Sequence, residues 1–218
     1  MERIVCLAIG YLFGLFQTAY FYGKSKGIDI REHGSGNAGT TNALRVLGTK
    51  AGIIVFAGDC LKCALAVLLV RLIFGESHKE MIYLLCLYTG AGAILGHNYP
   101  VHMSFKGGKG IAATAGLIAG FHPYFILPGL VLFFGTFLLT HYVSLGSLLV
   151  YAGFMIEMVI CGQLGVFTGL TQAQLYELYA VAAFLTALAY WKHRANIKRL
   201  LTGTERKTYL FKKNKEAL

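Results

Sequence analysis

Seven apolar runs constrain this chain more than any other feature: residues 4–22, 51–74, 81–96, 111–120, 124–139, 145–162 and 175–191. A hydrocarbon layer offers no water to free peptide groups, so segments of this kind must fold as helices. Most of them approach the roughly 20 residues that a ~30 Å core demands. Mean hydropathy is +0.59 and only 14% of residues are charged, values that belong to a bilayer rather than to water. The expected fold is one all-α integral membrane domain over residues 1–218, with about seven transmembrane helices. The first run could pass for a leader peptide. It is followed by Gly23-Lys24-Ser25-Lys26-Gly27 without a small-residue cleavage site, so it reads as a retained spanning helix. The fourth run is short, which leaves a re-entrant half-helix or a spanning helix whose first turn begins at Gly108 or earlier.

Charge separates those two options. With seven crossings, residues 23–50, 97–110 and the tail from Lys192 share one face. They hold five, two and nine of the twenty Lys and Arg. Arg3, Arg71 and Lys79 fall opposite. The positive-inside rule then puts the N-terminus outside the cytoplasm and the C-terminus within it, and a re-entrant fourth segment would break the pattern. The net charge of +10 therefore points to anionic headgroups or phosphorylated ligands, not to nucleic acid.

Polar residues inside the apolar runs have plain readings. Asp59 and Lys62 lie three apart on one helix and are expected to pair; Glu157 has no evident partner. Cys60 and Cys63 form a C-x-x-C without a second ligand pair, and all five cysteines read as buried thiols. No metal or cofactor is called for.

Three polar clusters interrupt this background, and the topology puts all of them on the cytoplasmic face. The first is Gly34-Ser35-Gly36-Asn37-Ala38-Gly39-Thr40-Thr41-Asn42-Ala43-Leu44-Arg45. As a string it contains G-x-G-x-x-G, but no strand precedes it, so a dinucleotide site is excluded. Its glycines still let backbone N–H groups approach an anion, beside hydroxyls and a guanidinium. The second is Phe105-Lys106-Gly107-Gly108-Lys109-Gly110, preceded by His97-Asn98-Tyr99-Pro100; it lacks the P-loop pattern but sits where a helix should start. In the third, His193, Asn196, Ile197 and Leu200 share a face beside Arg194 and Lys198, as a continuation of the last helix. The chain has no H-x-x-x-x-D box, no acidic metal array and no G-x-S-x-G elbow. A flexible loop, a basic juxtamembrane turn and a basic stop-transfer flank are the plainer readings of the three.

Together these residues closely resemble the bacterial membrane glycerol-3-phosphate acyltransferases that use acyl phosphate. The likeness runs through Gly-Ser-Gly-Asn-x-Gly-x-Thr-Asn at 34–42 with Arg45, through Gly96-His97-Asn98-Tyr99-Pro100 to Gly110, and through His193-Arg194-x-Asn196-Ile197-x-Arg199-Leu200 to Gly203-Thr204-Glu205. The link around His141 and Ser144 is also similar, with histidine where the family usually has arginine. The resemblance implies acyl transfer from acyl phosphate to the 1-hydroxyl of sn-glycerol 3-phosphate, giving lysophosphatidic acid and phosphate, the first step of phospholipid synthesis. It implies acyl phosphate, glycerol 3-phosphate and membrane lipids as partners, in the inner membrane.

On that reading Ser35, Arg45, Lys106, His193 and Asn196 are the expected catalytic groups. Gly36, Asn37, Gly39, Thr41, Asn42, His97, Gly107, Gly108, Lys109, Gly110 and Ser144 are the expected substrate-binding ones. His97 or His193 as a general base, Ser35 as an acylated nucleophile, and the departing phosphate as proton acceptor all stay open. A transporter of organic phosphates is the main rival, weakened because its polar residues would lie at one face rather than at mid-membrane.

Overall fold

The first apolar run does not form one helix. In the computed structural model, which describes residues 1–210, it folds as α1 (Glu2–Gly14) and α2 (Thr18–Ser25). The run is long and apolar enough to span, as expected, but it is broken at Gln17, a buried amide within it. The Gln17 Nε2 donates to Gly14 O at 3.0 Å, and to His97 O at 3.2 Å on another helix. Lys62 Nζ reaches the same break, donating to Phe16 O at 2.6 Å and Gly14 O at 3.4 Å. Carbonyls freed by a break inside an apolar layer need such donors.

The rest of the chain continues as α3 (Thr40–Leu47), α4 (Thr49–Phe74), α5 (Ile82–Asn98), α6 (Ile111–Phe121), α7 (Ile126–Thr140), α8 (Val143–Gln163), α9 (Gln172–Lys192) and α10 (Arg194–Leu201). Four stretches are long and apolar enough to cross a membrane: Glu2–Ser25, Thr49–Phe74, Pro123–Thr140 and Val143–Gln163. The fourth apolar run is helical only from Ile111, later than the Gly108 start expected of a spanning helix. Gly110 takes a left-handed conformation (φ 85°) that ends any upstream turn. Eleven residues rise only about 16 Å, so α6 does not reach across a bilayer alone. Arg71, near the end of α4, donates to the terminal carbonyls of α6 at Gly120 (3.2 Å) and Phe121, closing the far end of this short helix.

The tightest packing joins α1 to α5. Gly10 and Gly14 on α1 meet Gly92 and Gly96 on α5, a four-residue spacing on both helices. A Cβ at Gly92 would lie 2.1 Å from Leu7 O, and one at Gly14 would lie 2.3 Å from Ala93 O. Small residues at such spacing let two backbones touch where no hydrophobic force drives helices together. The main apolar core lies among α4, α5, α6, α8 and α9, built on Leu87, Leu117, Phe121, Tyr151 and Leu178. The Asp59–Lys62 pair forms as expected, at 2.9 Å.

Substituting Gly92→Leu should push α1 off α5 and lower stability by about 3 kcal/mol, as overpacking does. Thermal unfolding of the detergent-solubilised protein reads this, with Gly135→Leu, where a Cβ meets nothing within 4 Å, expected to leave the transition unchanged.

Candidate active site

The loop before α3 is held by one buried side chain. The amide of Asn42 accepts from Ser35 N at 2.8 Å and donates to Ile30 O and His33 O at 3.0 Å each. Gly34 sits against it with φ 61°, and a Cβ there would lie 2.4 Å from Asn42 Oδ1. Asn42, expected to bind substrate, thus spends its side chain on shaping the loop that presents Ser35. Gly39 caps α3 without a side-chain bond, so the N–H groups of Thr40 and Thr41 open the helix without carbonyl partners a turn earlier.

The second loop folds back on the end of α5. Gly107 N donates to Asn98 O (3.2 Å) and Gly108 N to His97 O (3.1 Å). These two N–H groups, expected to cradle an anion, are consumed by the turn itself. Gly108 packs so closely on His97 that a Cβ would lie 2.1 Å from its Nε2. The open donors of this segment begin further on, at Ile111 and Ala112 in the first turn of α6. His97 is 3% exposed, and its Nδ1 faces Lys62 Nζ at 2.9 Å. A lysine ammonium only donates, so Nδ1 carries the lone pair and is already occupied. His97 has no basic nitrogen left for a substrate proton.

The third cluster is a kinked continuation of α9. The chain bends at His193 and resumes as α10, keeping the bonds His193 N→Ala189 O and Ile197 N→His193 O. His193 Nδ1 lies 2.8 Å from Ala189 O, which only accepts, so the proton sits on Nδ1 and Nε2 holds a lone pair. Burial, then the nearby Lys109, push its pKa down to about 4, so the ring is neutral at pH 7. Burial also lowers Lys109 to about 8. Lys109 Nζ donates to Asn196 Oδ1, and Asn196 Nδ2 donates to Glu205 Oε1 at 2.7 Å. Glu205 also accepts from Ser144 Oγ (3.0 Å) and Arg199 Nε (2.7 Å).

Residues 204–210 run on without helix and strap this side. Arg45 Nη2 donates to Thr208 Oγ1 at 2.7 Å, Thr208 N to His141 O at 2.9 Å, and Thr49 Oγ1 to Leu210 O at 2.8 Å. Lys212, Lys213 and Lys215, part of the basic tail used in the topology argument, lie outside the described residues.

All these segments surround one cavity of about 950 Å³. Ser35, Gly36, Asn37, Gly39, Thr41 and Asn42 line it with Arg45, and so do His97, Lys106, Gly107, Lys109 and Gly110 with Ser144, His193 and Asn196. Of the expected site residues only Gly108 stands behind the wall. The first turns of α3, α6, α8 and α10 all reach the cavity, at Thr41, Ala112, Ser144 and Asn196. Four helix N-termini on one space create a positive potential that suits an anion. Toward the membrane-facing side the lining turns apolar, with Ile53 and Phe56 from α4 opposite Phe133, Phe134 and Phe137 from α7. Ile53 is 63% exposed, so this end of the space opens sideways at the outer surface of the bundle. No group of three or more His, Cys, Asp or Glu suited to a metal occurs among the described residues.

Sequence reasoning missed several of these residues. Phe133, Phe134 and Phe137 are indistinguishable from ordinary lipid-facing residues in an apolar run. Asp59 was read as a salt-bridge partner, although it also borders the cavity. Glu205 belonged to a recognised motif without an assigned contact.

Known proteins are similar to this chain in sequence and fold. The glycerol-3-phosphate acyltransferase family model matches residues 4–203. A glycerol-3-phosphate acyltransferase of Thermoanaerobacter sp. (strain X514) is 40% identical over 208 residues, covering 95% of this chain and 96% of its own. One from Bacillus subtilis (strain 168) is 38% identical over 204 residues, covering 92% and 95%. The crystal structure of PlsY (YgiH), an integral membrane glycerol 3-phosphate acyltransferase, in its glycerol 3-phosphate form, superposes with a TM-score of 0.82 at 33% identity, covering 97% of this chain and 100% of that one. Its lysophosphatidic acid form gives 0.79 at 32% identity, covering 96% and 97%. With its fold and its sequence matched along nearly the whole length, this chain belongs to the glycerol-3-phosphate acyltransferase family.

Proposed function

We propose that this protein is an acyltransferase that moves a fatty acyl group from acyl phosphate to the 1-hydroxyl of sn-glycerol 3-phosphate, releasing lysophosphatidic acid and inorganic phosphate. The observation that carries this reading is the shared cavity with a cationic, helix-N-terminal end and an apolar end open to the side. One substrate is a small phosphorylated polyol, and the other joins a phosphate to a long hydrocarbon chain. The two ends fit those chemistries, with the chain between α4 and α7. The name of the relatives supports the acceptor, and the glycerol 3-phosphate and lysophosphatidic acid forms of the PlsY structure support acceptor and product.

An acyl phosphate is a mixed anhydride and needs neither a metal nor a strong protein nucleophile. The 1-hydroxyl oxygen bonds to the acyl carbon, the carbon–oxygen bond to phosphate breaks, and phosphate departs with the electron pair. Orientation of two anions is the main task, and it can supply roughly 7–11 kcal/mol of barrier reduction. Arg45, Lys106 and Ser35 hold phosphate. Lys109, with the N-termini of α3 and α6, stabilises the developing negative charge. His193, neutral and with Nε2 unprotonated, accepts the hydrogen bond of the attacking hydroxyl. Asn196 and Ser144, fixed by Glu205, keep that corner in register. The proton ends on the departing phosphate. The protein lies in the bacterial cytoplasmic membrane with its N-terminus outside and its site facing the cytoplasm, as the basic loops direct.

In detergent, phosphate release from acyl phosphate should depend on glycerol 3-phosphate. A burst of phosphate without it, leaving acylated protein, would replace direct transfer by a Ser35 intermediate. A membrane carrier would release none in either case. Arg45→Lys should raise the KM for a phosphate substrate about tenfold, because the guanidinium's paired donors are lost. Lys109 is cationic below about pH 8 and neutral above. Hence kcat/KM should fall as pH rises through 8, and Lys109→Arg should move that limb to higher pH in the same assay.

A further inference from the structure

Asp59 carries a feature that acyl transfer as outlined does not use. It lies on α4 with none of its surface exposed, and it borders the cavity. Its Oδ1 is fully engaged, with Lys62 Nζ at 2.9 Å and Thr18 Oγ1 at 3.0 Å. Its Oδ2 is equally buried and has no hydrogen-bond partner among the described residues. An ionic oxygen removed from water with no donor is costly, and structures keep such atoms where something else supplies the bond. Paired with Lys62 Nζ and Thr18 Oγ1 through Oδ1, the carboxylate offers Oδ2 as an acceptor.

The missing donor can be identified by chemistry. A carboxylate repels phosphate, and the acyl chain offers no donor. Of the groups on the two substrates, only the hydroxyls of glycerol 3-phosphate can donate to Oδ2. The 1-hydroxyl must turn to the acyl carbon, which leaves the 2-hydroxyl. Resting on the acyl-transfer reading above, we infer that Asp59 accepts a hydrogen bond from the 2-hydroxyl of the acceptor and so decides which hydroxyl is acylated. The position suits this. His97 Nδ1 is 3.7 Å from Asp59 Oδ1, and Gly108 rests on the same imidazole ring. Asp59 is thus one side chain removed from the loop that carries Lys109.

The test compares glycerol 3-phosphate with 3-hydroxypropyl phosphate, which lacks only the 2-hydroxyl, using acyl phosphate and purified protein. The wild type should prefer glycerol 3-phosphate in kcat/KM by on the order of 10- to 100-fold, the usual weight of a hydrogen bond to a charged group. In Asp59→Asn the amide oxygen stays with Lys62 and Thr18, so the NH2 group replaces Oδ2 and presents a donor. The preference should then shrink to within about threefold, whatever happens to the absolute rate; a purely structural role would lower both substrates alike. If that variant does not fold, the doubly neutral Asp59→Leu/Lys62→Met variant takes its place with the same expected loss of preference. Equal use of the two acceptors by the wild type, or full preference kept by either folded variant, would overturn the inference. Failure of the wild type to acylate glycerol 3-phosphate would instead remove the acyl-transfer reading itself.

Discussion

One ammonium group ties the working parts of this protein together. Lys62 is buried in an apolar helix, where a cation is tolerated only if every donor is used. Its Nζ reaches Phe16 O and Gly14 O in the break between α1 and α2, Asp59 on its own helix, and His97 at the end of α5. Each contact answers a different need. The broken first run has free carbonyls, Asp59 has a charge to balance, and His97 has a ring to orient beneath the Gly107–Lys109 turn. Removing one partner from such a group strands the others in low dielectric, so the contributions of its members are coupled.

Above that network the site is built from backbone as much as from side chains. The cavity lies where α3, α6, α8 and α10 begin, and their unpaired N–H groups act as fixed partial charges that need no reorganisation. The charged side chains are largely committed to one another. Arg31 pairs with Asp29, Arg199 with Glu205, and Lys109 bonds to Asn196. These pairs hold the donors at defined places between occupants, and the strap at residues 204–210 binds Arg45 and His141 into the same frame.

Much of this was legible from residue types and spacing. The seven apolar runs marked a helical membrane fold, and three polar segments that start about 70 and about 90 residues apart meet at one cavity. What escaped has physical causes. Gln17 was absorbed into an apolar run because a single amide hardly alters local hydropathy, yet it decides where the helix breaks. The Gly107 and Gly108 N–H groups looked available, because only three-dimensional folding shows that the carbonyls of residues 97 and 98 take them. The glycine spacing at 10, 14, 92 and 96 is visible in each helix but acquires meaning only when the two helices are known to touch.

The sideways opening between α4 and α7 has an energetic corollary. Ile53, Phe56 and Phe134 are exposed at the surface of the bundle, where the surroundings are hydrocarbon. On the acyl-transfer reading, a fatty tail sliding from lipid into that cleft exchanges one oily neighbour for another, so the hydrophobic effect contributes little to holding it. Attraction at the charged head must then supply most of the grip. On the same reading, once that head loses its bond to the tail, the acylated molecule drifts back within the plane of the leaflet without crossing into water.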